Sequence, residues 1–96
     1  MVTHIVFFKL KEATPQGIDD AKSMLLSMQG KINLLNYLEV GVDVIRSERS
    51  YDLALVTRFS SLEDLQAYQV HPYHADVVLP FMRGCSASVV AVDYLS

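Results

Sequence analysis

Val2-Thr3-His4-Ile5-Val6-Phe7-Phe8-Lys9-Leu10 opens the chain, and Tyr51-Asp52-Leu53-Ala54-Leu55-Val56-Thr57-Arg58-Phe59 echoes it half-way along. Both stretches are rich in β-branched and aromatic residues and read as strands. Successive side chains of a strand point to opposite sides. The first therefore sets Val6, Phe8 and Leu10 on one face and Ile5 and Phe7 on the other. The second sets Leu53, Leu55 and Phe59 against Ala54 and Val56. A sheet wetted on one side alternates apolar with polar residues, and these strands do not. Leaving several such side chains in water forfeits about 1.5–3 kcal/mol each, which is large against a small domain's net stability of about 5–15 kcal/mol. These strands need cover on two sides.

Working outward, Lys11-Glu12 and Pro15 close the first strand. Thr14 is placed as an N-cap, with Pro15 at the first helical position and Asp19-Asp20 in the first turns. Ile18, Ala21, Leu25, Met28, Ile32 and Leu35 recur at three- and four-residue spacing, the buried stripe of a first helix. Tyr37 to Ile45 reads as a second strand in which Gly41 marks a bulge or bend. Arg46 to Ser50 is a connection of hairpin length. Ser60-Ser61-Leu62-Glu63 is a capping box, the Ser60 hydroxyl accepting from the Glu63 amide, and it starts a second helix that runs to about Gln69. His71-Pro72 interrupts this helix, because the residue before proline is pushed out of helical geometry. Tyr73 to about Arg83 resumes as helix, kinked or ended at Pro80, and Ala87 to Leu95 is a fourth strand.

The order β-α-β-β-α-β defines an α+β, ferredoxin-like protomer, a four-stranded antiparallel sheet with helices on one face. Helices cover one face only. A second copy is the economical cover for the other, so the expectation is a homodimer whose two sheets pack face to face into an α+β barrel. A cavity is then expected between each sheet and its helices, or within the barrel.

Composition limits what such a protein does. Ninety-six residues and 10.8 kDa make residues 1–96 a single domain. With 51% hydrophobic and 20% charged residues the profile is globular. Eight Lys+Arg against eleven Asp+Glu give a net charge of −3, so there is no basic footprint for nucleic acid. No apolar run approaches membrane-spanning length, and the apolar start meets Lys9 too soon for a secretory signal. No membrane partner is expected. The single Cys85 has no internal disulfide partner, which points to a reducing compartment, by default the cytoplasm.

The chemistry clusters late in the chain. Tyr68, His71 and His74 fall within seven residues, Tyr68-Gln69-Val70-His71-Pro72-Tyr73-His74. Tyr68 lies three residues from Leu65 and six from Leu62, near the buried stripe of its helix. His74 precedes Val77, Val78 and Phe81 at spacings of three, four and seven, on an apolar helix face. His4 shares a strand face with Val6 and Phe8, so all three polar rings can converge on one cavity. A neutral imidazole on an apolar wall is a competent general base at neutral pH. Beside it, Tyr68 can donate to an oxygen on which negative charge gathers. Such a pair suits removal of a proton next to a carbonyl, followed by ring closure, isomerisation or elimination. Asp93, on the last strand, is placed to hold that imidazole in one tautomer. His71 and Phe81 complete the expected ligand-contacting set, although His71, before a proline at a helix break, also reads as a cap of the preceding turn. Metal binding is not expected, because His71 and His74 are three apart across a proline and no acidic residue stands at zincin spacing. Cys85 has no basic neighbour beyond Arg83 and continues the stripe His74, Val78, Phe81, which makes it a packing residue.

These segments resemble a known family. His4-Ile5-Val6-Phe7-Phe8-Lys9-Leu10-Lys11, Tyr51-Asp52-Leu53-Ala54-Leu55, Ala67 to His74 and Val92-Asp93-Tyr94 together are similar to the Dabb family, the stress-responsive dimeric α/β-barrel domains. The resemblance runs over essentially the whole chain, and its Tyr-x-x-His-Pro-x-His element is fairly specific. It implies a ferredoxin-like protomer, a homodimer with a β-barrel core, and no obligatory cofactor. The family includes a plant polyketide cyclase, the olivetolic acid cyclase, which closes a linear polyketide by aldol chemistry with a Tyr and a His. By resemblance these fall on Tyr68 and His74. His4 and Asp93 match further polar positions around that pocket, and Val6, Phe8 and Leu55 match its apolar wall. Cys85 stands where the cyclase carries a large aromatic, which changes the substrate that fits. Two kinds of function follow: a cofactor-free acid–base enzyme of cyclase, isomerase or lyase type acting on a small oxo or aromatic compound, or a non-catalytic, stress-linked dimeric module that binds a small apolar ligand.

Overall fold

Residues 1–96 are all described by a computed structural model. Strand β1 spans Val2–Leu10 and is followed by helix α1, Pro15–Leu26. Thr14 is extended and its hydroxyl accepts from the Gly17 amide at 3.0 Å, with Pro15 next in line, so this helix starts as its sequence specifies. Asp19 and Asp20 fall beyond the first turn. The helix stops at Leu26 although its apolar stripe goes on to Leu35, which corrects the longer helix. Gly30 takes φ +81° in the turns that follow, and those turns still bury Met28 and Ile32 completely.

Strand β2 is Tyr37–Val42 and β3 is Leu53–Phe59, both shorter than their apolar stretches. Gly41 makes no bulge. It pairs in register with Ala54, and the sheet's irregularity lies instead between Lys9 and Leu10, where Ala87 is the spare residue of the last strand. Arg46, at φ +58°, turns the β2–β3 connection, its guanidinium donating to Asp43 and, at 2.7 Å, to Asp52. Asp52 is buried and also accepts the Leu10 amide at 2.7 Å, which fastens the hairpin to the end of β1. Burial alone would raise its carboxyl pKa. The Leu10 and Arg46 hydrogen bonds outweigh that and hold it below the ordinary value.

Helix α2 is Leu62–Val70, and its N-cap is Ser61, whose hydroxyl accepts from Asp64 at 3.1 Å. The expected Ser60 cap is therefore off by one residue. Ser60 accepts from the Asn36 side chain instead. His71 closes α2 in extended geometry, its amide donating to the Tyr68 carbonyl. After Pro72 comes one π-helical stretch, Tyr73–Val78, in which the Leu79 amide reaches back five residues to the His74 carbonyl. Helix α3, Leu79–Cys85, takes over with Pro80 in its first turn, and β4 is Ser86–Leu95.

The sheet is antiparallel throughout, in the order β2-β3-β1-β4. This is the ferredoxin-like βαββαβ fold, with α1, α2 and α3 packed on one face. Val2, Val6, Phe8, Leu10, Leu53, Leu55 and Phe59 point inward from the two central strands to meet Ala21, Leu25, Leu65, Tyr68 and Met82 from the helices. On the other face Phe7, Val90, Val92 and Tyr94 stay 44–62% exposed within one protomer. The two-sided strands therefore leave one apolar face bare. No helix is long and apolar enough to cross a membrane.

Candidate functional site

Between the inner sheet face and the helices lies a cavity of about 310 Å³. His4, Val6 and Phe8 of β1, Leu55 of β3 and Val89 and Ala91 of β4 form its floor. Register assembles that floor, since His4 pairs with Asp93, Val6 with Ala91 and Phe8 with Val89 across β1 and β4. Leu25, Tyr68, Gln69, His74, Val78, Leu79 and Met82 form the roof. Ten of the thirteen lining residues are hydrophobic, so the few polar groups decide what the cavity does.

Tyr68 is 1% exposed, its ring 4.9 Å from Phe59, 4.4 Å from His74 and 6.1 Å from His4 between centroids. Burial pushes its phenol far above the ordinary value, so it is a neutral donor at any working pH. Its hydroxyl donates to the Met28 thioether at 3.5 Å, a weak acceptor. His74 is half-buried, and Nδ1 lies 3.1 Å from the Gln69 carbonyl oxygen. A carbonyl only accepts, so Nδ1 carries the hydrogen and Nε2 is the basic nitrogen of the neutral ring. Burial lowers the His74 pKa, with His4 and His71 adding to the effect and the Gln69 bond opposing it. The ring is neutral at pH 7. His4 is also buried, and its Nδ1 hydrogen-bonds the Asp93 carboxylate, which again leaves Nε2 as the free nitrogen.

The structure thus brings His4, Tyr68, His74, Val6, Phe8 and Leu55 to one cavity, as their faces require. Three expectations are corrected. Asp93 holds His4 and not His74, because the β1–β4 register sets it opposite His4 while the His74 ring is held by the backbone of α2. His71 does not line the cavity. Its Nδ1 accepts from the Tyr73 amide at 3.1 Å, which makes it a cap of the helix break. Phe81 is 39% exposed and sits in a separate shallow hollow with Met24, Ser27 and Tyr73. The π-helical stretch is the cause, since a wider turn moves every later residue off the 3.6-residue stripe and Met82 takes the inward place. Cys85 packs against the core with its thiol toward the Met82 carbonyl, the packing place expected of it. Leu25, Gln69, Val78, Leu79, Met82, Val89 and Ala91 also line the cavity, and none of the seven is among the site residues read from the sequence. Alternation with Asp93 is a usable signal for the last two. No group of three or more His, Cys, Asp or Glu side chains is placed to hold a metal ion.

A ferredoxin-like protomer with an apolar cavity under its helices and an uncovered apolar sheet face defines a class of α+β barrel domains. The chain belongs to the stress-responsive A/B barrel domain family (Dabb), whose family model matches residues 2–96. It is 32% identical over 104 residues to a stress-response A/B barrel domain-containing protein of Arabidopsis thaliana, a match covering 100% of this chain and 37% of that protein. The chain therefore spans little more than a third of that relative. Among solved structures it is similar to a dimeric, ferredoxin-like protein of unknown function from Bacteroides fragilis, 28% identical with a TM-score of 0.84, covering 99% of this chain and 95% of that one. A dimeric ferredoxin-like protein of unknown function from Thermobifida fusca is 26% identical with a TM-score of 0.86, covering 99% and 90%. The hydroxynitrile lyase of Passiflora edulis, 20% identical with a TM-score of 0.82 over 99% and 92%, shares the fold.

Proposed function

We propose that the chain is one protomer of a homodimer and a cofactor-free acid–base enzyme of cyclase, isomerase or lyase type acting on a small oxo or aromatic compound. One observation carries the reading: a neutral His74 imidazole, its Nδ1 committed to a backbone carbonyl, lies against the neutral Tyr68 phenol on the wall of an apolar cavity of small-molecule size. His74 Nε2 accepts a proton from carbon next to a carbonyl. The electron pair moves to the carbonyl oxygen, and Tyr68 turns its hydroxyl from the Met28 sulfur to that oxygen, a better acceptor. The low-polarity wall strengthens the new hydrogen bond. The likeness to the plant polyketide cyclase in Tyr68 and His74 supports the same chemistry. The bare face bearing Phe7, Val90, Val92 and Tyr94 supports the dimer, as do the two bacterial relatives described as dimeric. A single half-buried cysteine fits a cytoplasmic setting.

The test is a turnover and binding screen of β-keto acids and lactones with the wild type, His74→Ala and Tyr68→Phe. Turnover is expected to fall by about 10²-fold or more for each. Unchanged turnover and binding in both variants would sink the assignment. A non-catalytic binding module is the second reading, favoured by the Tyr68 hydroxyl already having a partner in Met28. Binding without turnover in the wild type would select it.

A further inference from the structure

We propose that His4, with Asp93 behind it, takes a hydroxyl proton from the ligand of this cavity, and that the ligand is accordingly a neutral molecule with an acidic O–H, a phenol or a stable enol. This rests on the reading that the cavity admits a small oxo or aromatic compound.

The two imidazoles are not equivalent. Each has its Nδ1 occupied and its Nε2 free, but the group behind His74 is a neutral carbonyl and the group behind His4 is a carboxylate. A proton arriving at Nε2 turns the ring into a cation. Behind His4 that charge meets the Asp93 carboxylate, whereas behind His74 it meets only a dipole in a site whose burial already disfavours it. The Asp93 side chain is 41% exposed on an edge strand, in reach of water, while the ring it supports is 10% exposed. The proton is therefore best held at His4.

The remaining lining selects the ligand. No Lys or Arg borders the cavity, so a permanent anion entering it would bring an unpaired charge into apolar surroundings. A neutral hydroxyl compound avoids this. Inside, its O–H bond breaks, the electron pair stays on oxygen and the proton forms a bond to His4 Nε2. The site gains no net charge, and the step reverses on release. The Tyr68 hydroxyl, held only by a thioether, turns to the new oxyanion. His74 is left free to work at a second position of the same molecule, and Asp93 acts through His4 as a positioning residue.

4-Nitrophenol reports the step by colour, since its phenolate is yellow and its neutral form is not. In buffer acidic enough to keep free 4-nitrophenol colourless, the wild-type protein is expected to turn it yellow on binding, and His71→Ala, which lacks a histidine outside the cavity, to do the same. His4→Ala and Asp93→Asn are expected to lower the bound phenolate by about 10-fold or more. Both should still bind 4-nitroanisole, the methyl ether without a proton to give, which reports an intact cavity. In ¹⁵N spectra His4 should carry its hydrogen on Nδ1 in the wild type and on Nε2 in Asp93→Asn, where an amide N–H faces Nδ1. Yellow colour that survives His4→Ala and Asp93→Asn but is lost in His74→Ala would overturn the proposal and leave the His74 reading standing. Equal, colourless binding of the phenol and its methyl ether would overturn the proposal and leave the reading of the cavity standing. Binding of neither would overturn both this proposal and the reading of the cavity.

Discussion

Truncating Phe7 tests the second copy. Phe7 is 45% exposed in one protomer, near the middle of the bare face, with Ala54 and Val90 as its cross-strand neighbours. An aromatic side chain buries about 150–250 Å² when fully covered, so about 90 Å² remains to be covered by a partner. At about 25 cal/mol per Å² that area is worth about 2 kcal/mol. A two-fold axis uses each residue twice, which doubles the effect to about 4–5 kcal/mol per dimer. The dimer dissociation constant of Phe7→Ala should therefore rise by about 10³-fold. Phe7→Asp should rise further, because a carboxylate would have to be desolvated as well. Sedimentation velocity from about 10 nM to about 50 μM reads both constants, and far-UV circular dichroism checks that each variant stays folded. Wild-type protomers sedimenting singly at micromolar concentration would refute the reasoning. So would dissociation constants for both variants equal to that of the wild type.

Asp52→Ala leaves the buried Leu10 amide without its acceptor. A loss of about 2–3 kcal/mol is expected, read as a fall of about 10 °C or more in the calorimetric midpoint. Asp52→Asn, which keeps an oxygen there, should recover part of it, and Arg46→Ala, whose side chain is 44% exposed, should move the midpoint far less. His74 is held below its ordinary value by burial, so the unfolded chain binds more protons than the folded one between the two values. Stability from this source is full above about pH 6.5 and declines as pH falls through the lowered folded-state value. Urea midpoints measured against pH should lose that part of their slope in His74→Gln. Ser61→Ala should cost about 1 kcal/mol through the lost cap, and Ser60→Ala less, in the same urea assay.

What the sequence showed depended on whether a residue's place follows from local periodicity. His4, Tyr68 and His74 converge as expected, because a period of two on β1 and helical spacing on α2 each point a side chain at the sheet–helix gap. Phe81 fails the same test. Its spacing from His74 assumes an unbroken 3.6-residue period, and the π-helical stretch Tyr73–Val78 inserts a wider turn between them. Pro80 was the local sign of irregular hydrogen bonding, but a missing amide does not tell a kink from a π stretch. The Ser60 and Ser61 frames differ by one residue, and each has an acidic residue three positions on, Glu63 or Asp64. Only the backbone geometry at the start of the helix decides between them. The partner of Asp93 was not readable at all, because it depends on how β4 pairs with β1.

That pairing also explains how a histidine–carboxylate pair comes to border an apolar cavity. Placed on central β3, a carboxylate facing inward would be sealed under the helices and would have to find donors there, as buried Asp52, just before β3, finds them in the Leu10 amide and Arg46 at the hairpin end. On edge strand β4 the helices cover less: Val89, on the same inward face, is still 48% exposed. Asp93 can stay half in water while reaching one strand inward to His4. Ala91, between them in the alternation and opposite Val6, contributes only a methyl group, which leaves space where a larger residue would fill the gap. An edge position for the carboxylate, a small residue beside it and a buried histidine one strand in are together what the proposed proton-accepting site at the rim of this core is built from.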